Sequence, residues 1–103
     1  MNENEIFLLI KSKVREVIPT AGVYLFGSRA NGNSNEESDW DVLILLTDKP
    51  DRKIKLSIHL ALFPLSVQIH TFINTVIVSQ PDWNNNPCYY SMHQSIVAKR
   101  VAV

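Results

Sequence analysis

The sequence predicts an α/β (α+β) architecture in which a small mixed sheet is flanked by helices. Three observations carry this expectation. The chain opens on a helical apolar repeat, it contains the uninterrupted apolar run Val42-Leu43-Ile44-Leu45-Leu46, and helical and extended patterns alternate along its length. With 103 residues, 46% of them hydrophobic and 19% charged, the composition is that of an ordinary globular chain, and a single domain over residues 1–103 is expected.

Each element has its own signal. Ile6, Leu9, Ile10, Val14, Val17 and Ile18 recur at steps of three and four, which gives a helix over Ile6 to Ile18 with one buried face, capped by Asn2 or Asn4. Pro19 stops it, because proline disfavours helical geometry in the residue before it, and Thr20-Ala21-Gly22 turns the chain. Val23-Tyr24-Leu25-Phe26 is aromatic and β-branched and forms a strand that runs into a turn at Gly27-Ser28. Ser28 to Ser38 is polar and reads as a short helical turn followed by an exposed loop. Asp39 to Leu46 is the core strand, apolar on both faces as in a strand covered on both sides. Ile54, Ile58, Ala61 and Leu62 then place a helix over Arg52 to Phe63, with Pro64 as its stop. Leu65 to Val78, rich in Val, Ile, Thr and Phe, is expected as a third strand with its continuation, Asn84 to Pro87 as a turn, and Tyr89 to Val101 as a last short helix.

Charge and cysteine content exclude several classes of function. Ten basic residues balance ten acidic ones, so no broad positive surface exists to hold a nucleic-acid backbone or an anionic membrane. No apolar run approaches the roughly 20 residues that span a bilayer. A single cysteine, Cys88, forms no internal disulfide, and the polar, acidic start Met1 to Glu5 is unlike a signal peptide, so a cytoplasmic location is expected.

The chemistry concentrates in two places. Asp39 and Asp41 stand at i and i+2 at the start of the core strand, on one face, with Cα atoms roughly 6.6 Å apart at the usual strand rise. Two such carboxylates can share a divalent cation, although a D-x-D triplet also opens many strands at a solvent edge. Gly27-Ser28 follows a strand directly, where glycine lets backbone N–H groups approach an anion and the serine hydroxyl adds a donor. Its plainer role is a strand-ending turn. It is not a P-loop: Gly27 and Gly32 have the right separation, but Asn33-Ser34 stands where Lys-Ser or Lys-Thr is required. A dinucleotide fingerprint fails for want of the G-x-G pair. His59, the basic group Arg52, Lys53 and Lys55, the aromatics Trp83, Tyr89 and Tyr90, and Cys88 are read as packing or solvated residues.

Phe26-Gly27-Ser28, a ten-residue stretch, and then Asp39-Trp40-Asp41-Val42 resembles the signature of the nucleotidyltransferase superfamily with the DNA polymerase beta fold. The short length and Gly27-Ser28-Arg29-Ala30 look like its minimal members, single-domain proteins often paired with a small helical partner. The resemblance is specific between Leu25 and Leu46. It implies that Gly27 and Ser28, with Arg29, hold a nucleoside triphosphate, ATP by expectation, and that Asp39 and Asp41 bind Mg2+, two ions in an active site. Positioning and charge neutralisation would then lower the barrier. A nucleoside monophosphate would pass to a hydroxyl of a protein, RNA or small molecule, with the acceptor site supplied by a partner or another copy of the chain.

The family usually adds a third carboxylate on the next long strand. Read as a strand, Leu65 to Phe72 contains no Asp or Glu, and Gln68 and His70 are the residues available to replace it. Glutamine can coordinate weakly but accepts no proton, and histidine suits magnesium poorly. The alternative to an active transferase is therefore a catalytically impaired binding module, antitoxin-like, acting through a partner protein; an unrelated metal-dependent phosphohydrolase fits the spacing less well.

Overall fold

In the computed structural model, residues 2–27 and 38–93 are described, and they form three strands and four helical segments. Helix α1 (Glu3–Val17) begins at Asn2, whose side chain accepts the Glu5 N–H at 2.8 Å, and it buries Phe7, Ile10 and Val14. Strands β1 (Gly22–Phe26), β2 (Trp40–Leu46) and β3 (Ile73–Ser79) form one sheet in that order. The sheet is mixed: β1 runs antiparallel to β2, and β3 runs parallel to it. A parallel neighbour needs a long crossover, and helix α2 (Arg52–Ile69) provides it.

The alternation of β2 divides the interior in two. Trp40, Val42, Ile44 and Leu46 face α1 and α2, and join Ile10, Val14, Val23, Leu25, Ile58 and Leu62 in the larger cluster. Leu43 and Leu45 point the other way, against Val78 and Trp83 of helix α3 (Gln80–Asn85). A 3-10 turn over Pro87–Tyr89 follows, and Tyr89 and Met92 pack at the edge of this second cluster. Both faces of the central strand are covered, as its apolar run predicts.

Three expectations are corrected. Pro64 does not end α2: the helix continues for five residues to Ile69. The reason lies on its buried face, where Ile58, Leu62, Leu65 and Ile69 keep a helical spacing and all pack in the larger cluster. Pro64 itself is exposed, so it forfeits one backbone hydrogen bond without disturbing that face. Leu65 to Phe72 is therefore not strand, and the third strand starts at Ile73. The turn expected over Asn84 to Pro87 starts later, because Asn84 and Asn85 belong to helix α3, where Ser79 accepts the Asp82 N–H as the cap. Of the last helix expected over Tyr89 to Val101, Tyr90 to His93 are helical and continue directly from the 3-10 turn; the rest of it, and the expected turn and loop over 28–37, lie outside the described residues.

Two substitutions test this account of α2. Asp51 caps the helix by accepting the Ile54 N–H at 2.8 Å, so Asp51→Ala is expected to cost about 1 kcal/mol in denaturant unfolding. Pro64→Ala is expected to act in the opposite direction and stabilise the fold, by at most about 3 kcal/mol. A loss of stability in that variant would show that the proline is required by the helix.

Candidate active site

The site is built where β2 begins. Asp41 pairs with Phe26 on the antiparallel side and with Asn74 on the parallel side. Its side chain leaves the sheet on the face of Leu43, two residues on, but α3 covers only the far end of that face. At the near end Asp41 is half-buried, while Asp39 and Asn74 are exposed. A charged pair can stand there because water reaches it; one residue along, at Trp40, the strand is packed dry.

Asn74 draws the two acids together. Its Nδ2 donates to Asp39 Oδ2 and to Asp41 Oδ1, each at 3.2 Å. Two carboxylate oxygens thus converge on one atom, and with the amide they form a set of hard oxygen donors once the amide turns its own oxygen inward. Oxygen donors of this kind are those that a hard divalent cation takes. Among the described residues no group of three or more His, Cys, Asp or Glu gathers anywhere, so Asp39 and Asp41 are the acids available here.

Gly27 closes the other side. It has φ +77°, in the left-handed region, and a Cβ placed on it would overlap Asp41 Oδ2 and lie 3.2 Å from Asp41 Cγ. Only a residue without a side chain lets the backbone come this close to the carboxylate. The turn expected at Gly27 is therefore in contact with the expected metal-binding pair. Ser28 and Arg29 lie outside the described residues.

Gln68 and His70 are not brought to the site as strand residues. Gln68 is an exposed residue on α2, and His70 is the left-handed C-cap of that helix, with φ 58°. The residue that β3 sets beside the acids is Asn74, in direct register with Asp41. The sequence contains a signal for this: the helical spacing of Leu62, Leu65 and Ile69 pushes the strand past Phe72, and Asn74 is then its first polar residue. The remaining residues singled out in the sequence take structural places. Trp83 is buried against Tyr89 with ring centroids 5.8 Å apart, His59 is exposed, and Arg52, Lys53 and Lys55 are exposed at the start of α2.

The family model described as Polymerase beta, Nucleotidyltransferase matches residues 9–82, a span that includes Gly27, Asp39, Asp41 and Asn74. This chain belongs to that nucleotidyltransferase family. No curated protein matches the sequence. Among solved structures, a variant of the MntA-HpeT toxin-antitoxin is similar at 23% identity with a TM-score of 0.61, over 100% of this chain and 72% of that one. A toxin-antitoxin structure with AMP-PNP aligns at 23% identity and a TM-score of 0.59, over 96% and 69% of the two chains. Cid1 in complex with the UTP analogue UMPNPP is more distant, at 17% identity and a TM-score of 0.53, over 96% of this chain and 33% of that one. These likenesses establish the nucleotidyltransferase fold. No helix among the described residues is long and apolar enough to cross a membrane.

The packing at Gly27 predicts the outcome of its smallest substitution. Gly27→Ala should displace the Asp41 carboxylate and destabilise the fold by more than about 1 kcal/mol in thermal unfolding. A variant as stable as wild type would show that the turn and the carboxylate are independent.

Proposed function

We propose that this chain transfers a nucleoside monophosphate, AMP from Mg-ATP, to a hydroxyl group of an acceptor. The observation that carries the reading is the convergence of the Asp39 and Asp41 carboxylates beside the left-handed Gly27 turn. Family membership adds to it, as does the presence of AMP-PNP in one structure of the same fold.

In this reading Asp39 and Asp41 hold Mg2+ with their converging oxygens, and Gly27 gives the triphosphate access to backbone N–H groups beside them. Ser28 and Arg29 are assigned to the same phosphates from their place in the motif. When bound, the metal neutralises the phosphates and orients them for in-line displacement. The acceptor oxygen bonds to the α-phosphorus, the bond to the β-phosphate bridging oxygen breaks, and pyrophosphate leaves. Asn74 takes no part in moving the hydroxyl proton, since an amide is not a base at neutral pH. The proton passes to Asp39, Asp41 or solvent.

The acceptor is assigned to a surface that a partner protein completes. What supports a partner is the outer face of α2, where Leu56, Leu60, Phe63 and Val67 are all exposed at helical spacing. Two of the structures that share the fold are toxin-antitoxin complexes.

Calorimetric titration of Mg-ATP into wild type and Asp41→Asn tests the nucleotide site. Binding is expected in wild type, with loss of at least about tenfold in affinity in the variant and abolition by EDTA. Transfer of label from α-labelled ATP, absent in Asp41→Asn, would establish the reaction. Equal affinity in the two proteins would remove the carboxylate pair from the nucleotide site.

A further inference from the structure

We propose that the Asn74 amide is a built-in substitute for a cation, so that the carboxylate pair stays assembled without metal and takes up a divalent ion only together with phosphate groups. The proposal rests on the nucleotide-binding reading for the second clause and on geometry alone for the first.

Two carboxylates held side by side repel each other even where water reaches them, and a donor that faces both relieves the repulsion. The single nitrogen of Asn74 carries two N–H groups, and it directs them to Asp39 Oδ2 and Asp41 Oδ1 at the same 3.2 Å. No salt bridge joins Asp39 or Asp41 to another of the described residues. The amide thus does the work of a bridging ion with partial charges. Its orientation follows from the same electrostatics: turned over, its oxygen would face two anions. A cation entering between the acids reverses that preference, and the amide must rotate to offer its oxygen.

The register makes the position decisive. Asn74 faces Asp41 directly across the parallel pair β2 and β3, so the residue at 74 sets the charge of the site. An acid there would place three negative groups together and require a cation for assembly. Asparagine removes one charge, supplies the clamp, and makes free metal dispensable. The affinity of an oxygen-ligand site falls as charged ligands are removed, so the missing charge has to arrive with the ligand, and the phosphates of a nucleotide carry it.

The test uses metal alone. Thermal unfolding of wild type, Asn74→Asp and Asn74→Ala is followed at one pH and ionic strength, in EDTA and in millimolar Mg2+, with calorimetric titration of Mn2+ in the absence of nucleotide. Wild type is expected to melt at the same temperature with and without Mg2+. Asn74→Asp is expected to melt several degrees lower in EDTA, to recover in Mg2+, and to bind Mn2+ at least about tenfold more tightly than wild type. Asn74→Ala loses the clamp without gaining a charge, so it too should melt lower in EDTA and respond to Mg2+. An equal response to Mg2+ in wild type and Asn74→Ala, or equal Mn2+ affinity in wild type and Asn74→Asp, overturns the proposal. Failure of Mg-ATP to bind wild type while these differences hold would reject the transferase reading and leave the clamp standing. Binding of Mg-ATP with no difference among the three melts would do the reverse.

Discussion

Strand β2 has to satisfy two neighbours on its edges and two different environments on its faces within seven residues. Trp40, Val42, Ile44 and Leu46 fill the space under α1 and α2, and Leu43 and Leu45 fill the space under α3. Asp41 alone among the seven is charged, and it sits where the second face runs out of cover. The site is therefore an exposed end of the core itself. Its precision comes from packing: the carboxylate is held by a strand buried on both faces, and its neighbours Gly27 and Asn74 arrive from the strands paired on either side.

Much of this is legible in the sequence. The first helix, the first two strands, the Asp39 and Asp41 pair and the Gly27 turn are all visible, because each depends on local pattern: a helical repeat, a two-sided apolar run, a glycine directly after a strand. Their contact was not derivable from spacing alone, since it depends on the antiparallel register that sets Phe26 opposite Asp41. The resemblance to nucleotidyltransferases supplied that part of the expectation.

What is not legible turns on Pro64. Proline is a strong punctuator in sequence, but its effect is local: it removes one N–H and crowds one turn. Against this, Leu65 and Ile69 bury apolar surface on a face already established by Ile58 and Leu62, and that burial wins. Ending the helix early moved the third strand upstream and brought Gln68 and His70 forward in place of Asn74. One boundary thus decided which residue stood beside the acids. Of the site residues singled out, Gly27, Asp39 and Asp41 are described and converge, Gln68 and His70 stand elsewhere, and Ser28 and Arg29 are outside the described residues.

The two-sided character of β2 also guards the chain against its own mispairing. Because successive side chains point to opposite faces, sliding β2 by a single residue against its neighbours would turn Asp41 in among Ile10, Val14 and Ile58, and push Trp40 out into water. Such a slip would desolvate a carboxylate with no partner and expose the largest aromatic of the core. Competing registers are penalised by the same residues that form the site. The acids at the head of the strand thus serve as an alignment mark during folding, whatever ligand they later receive.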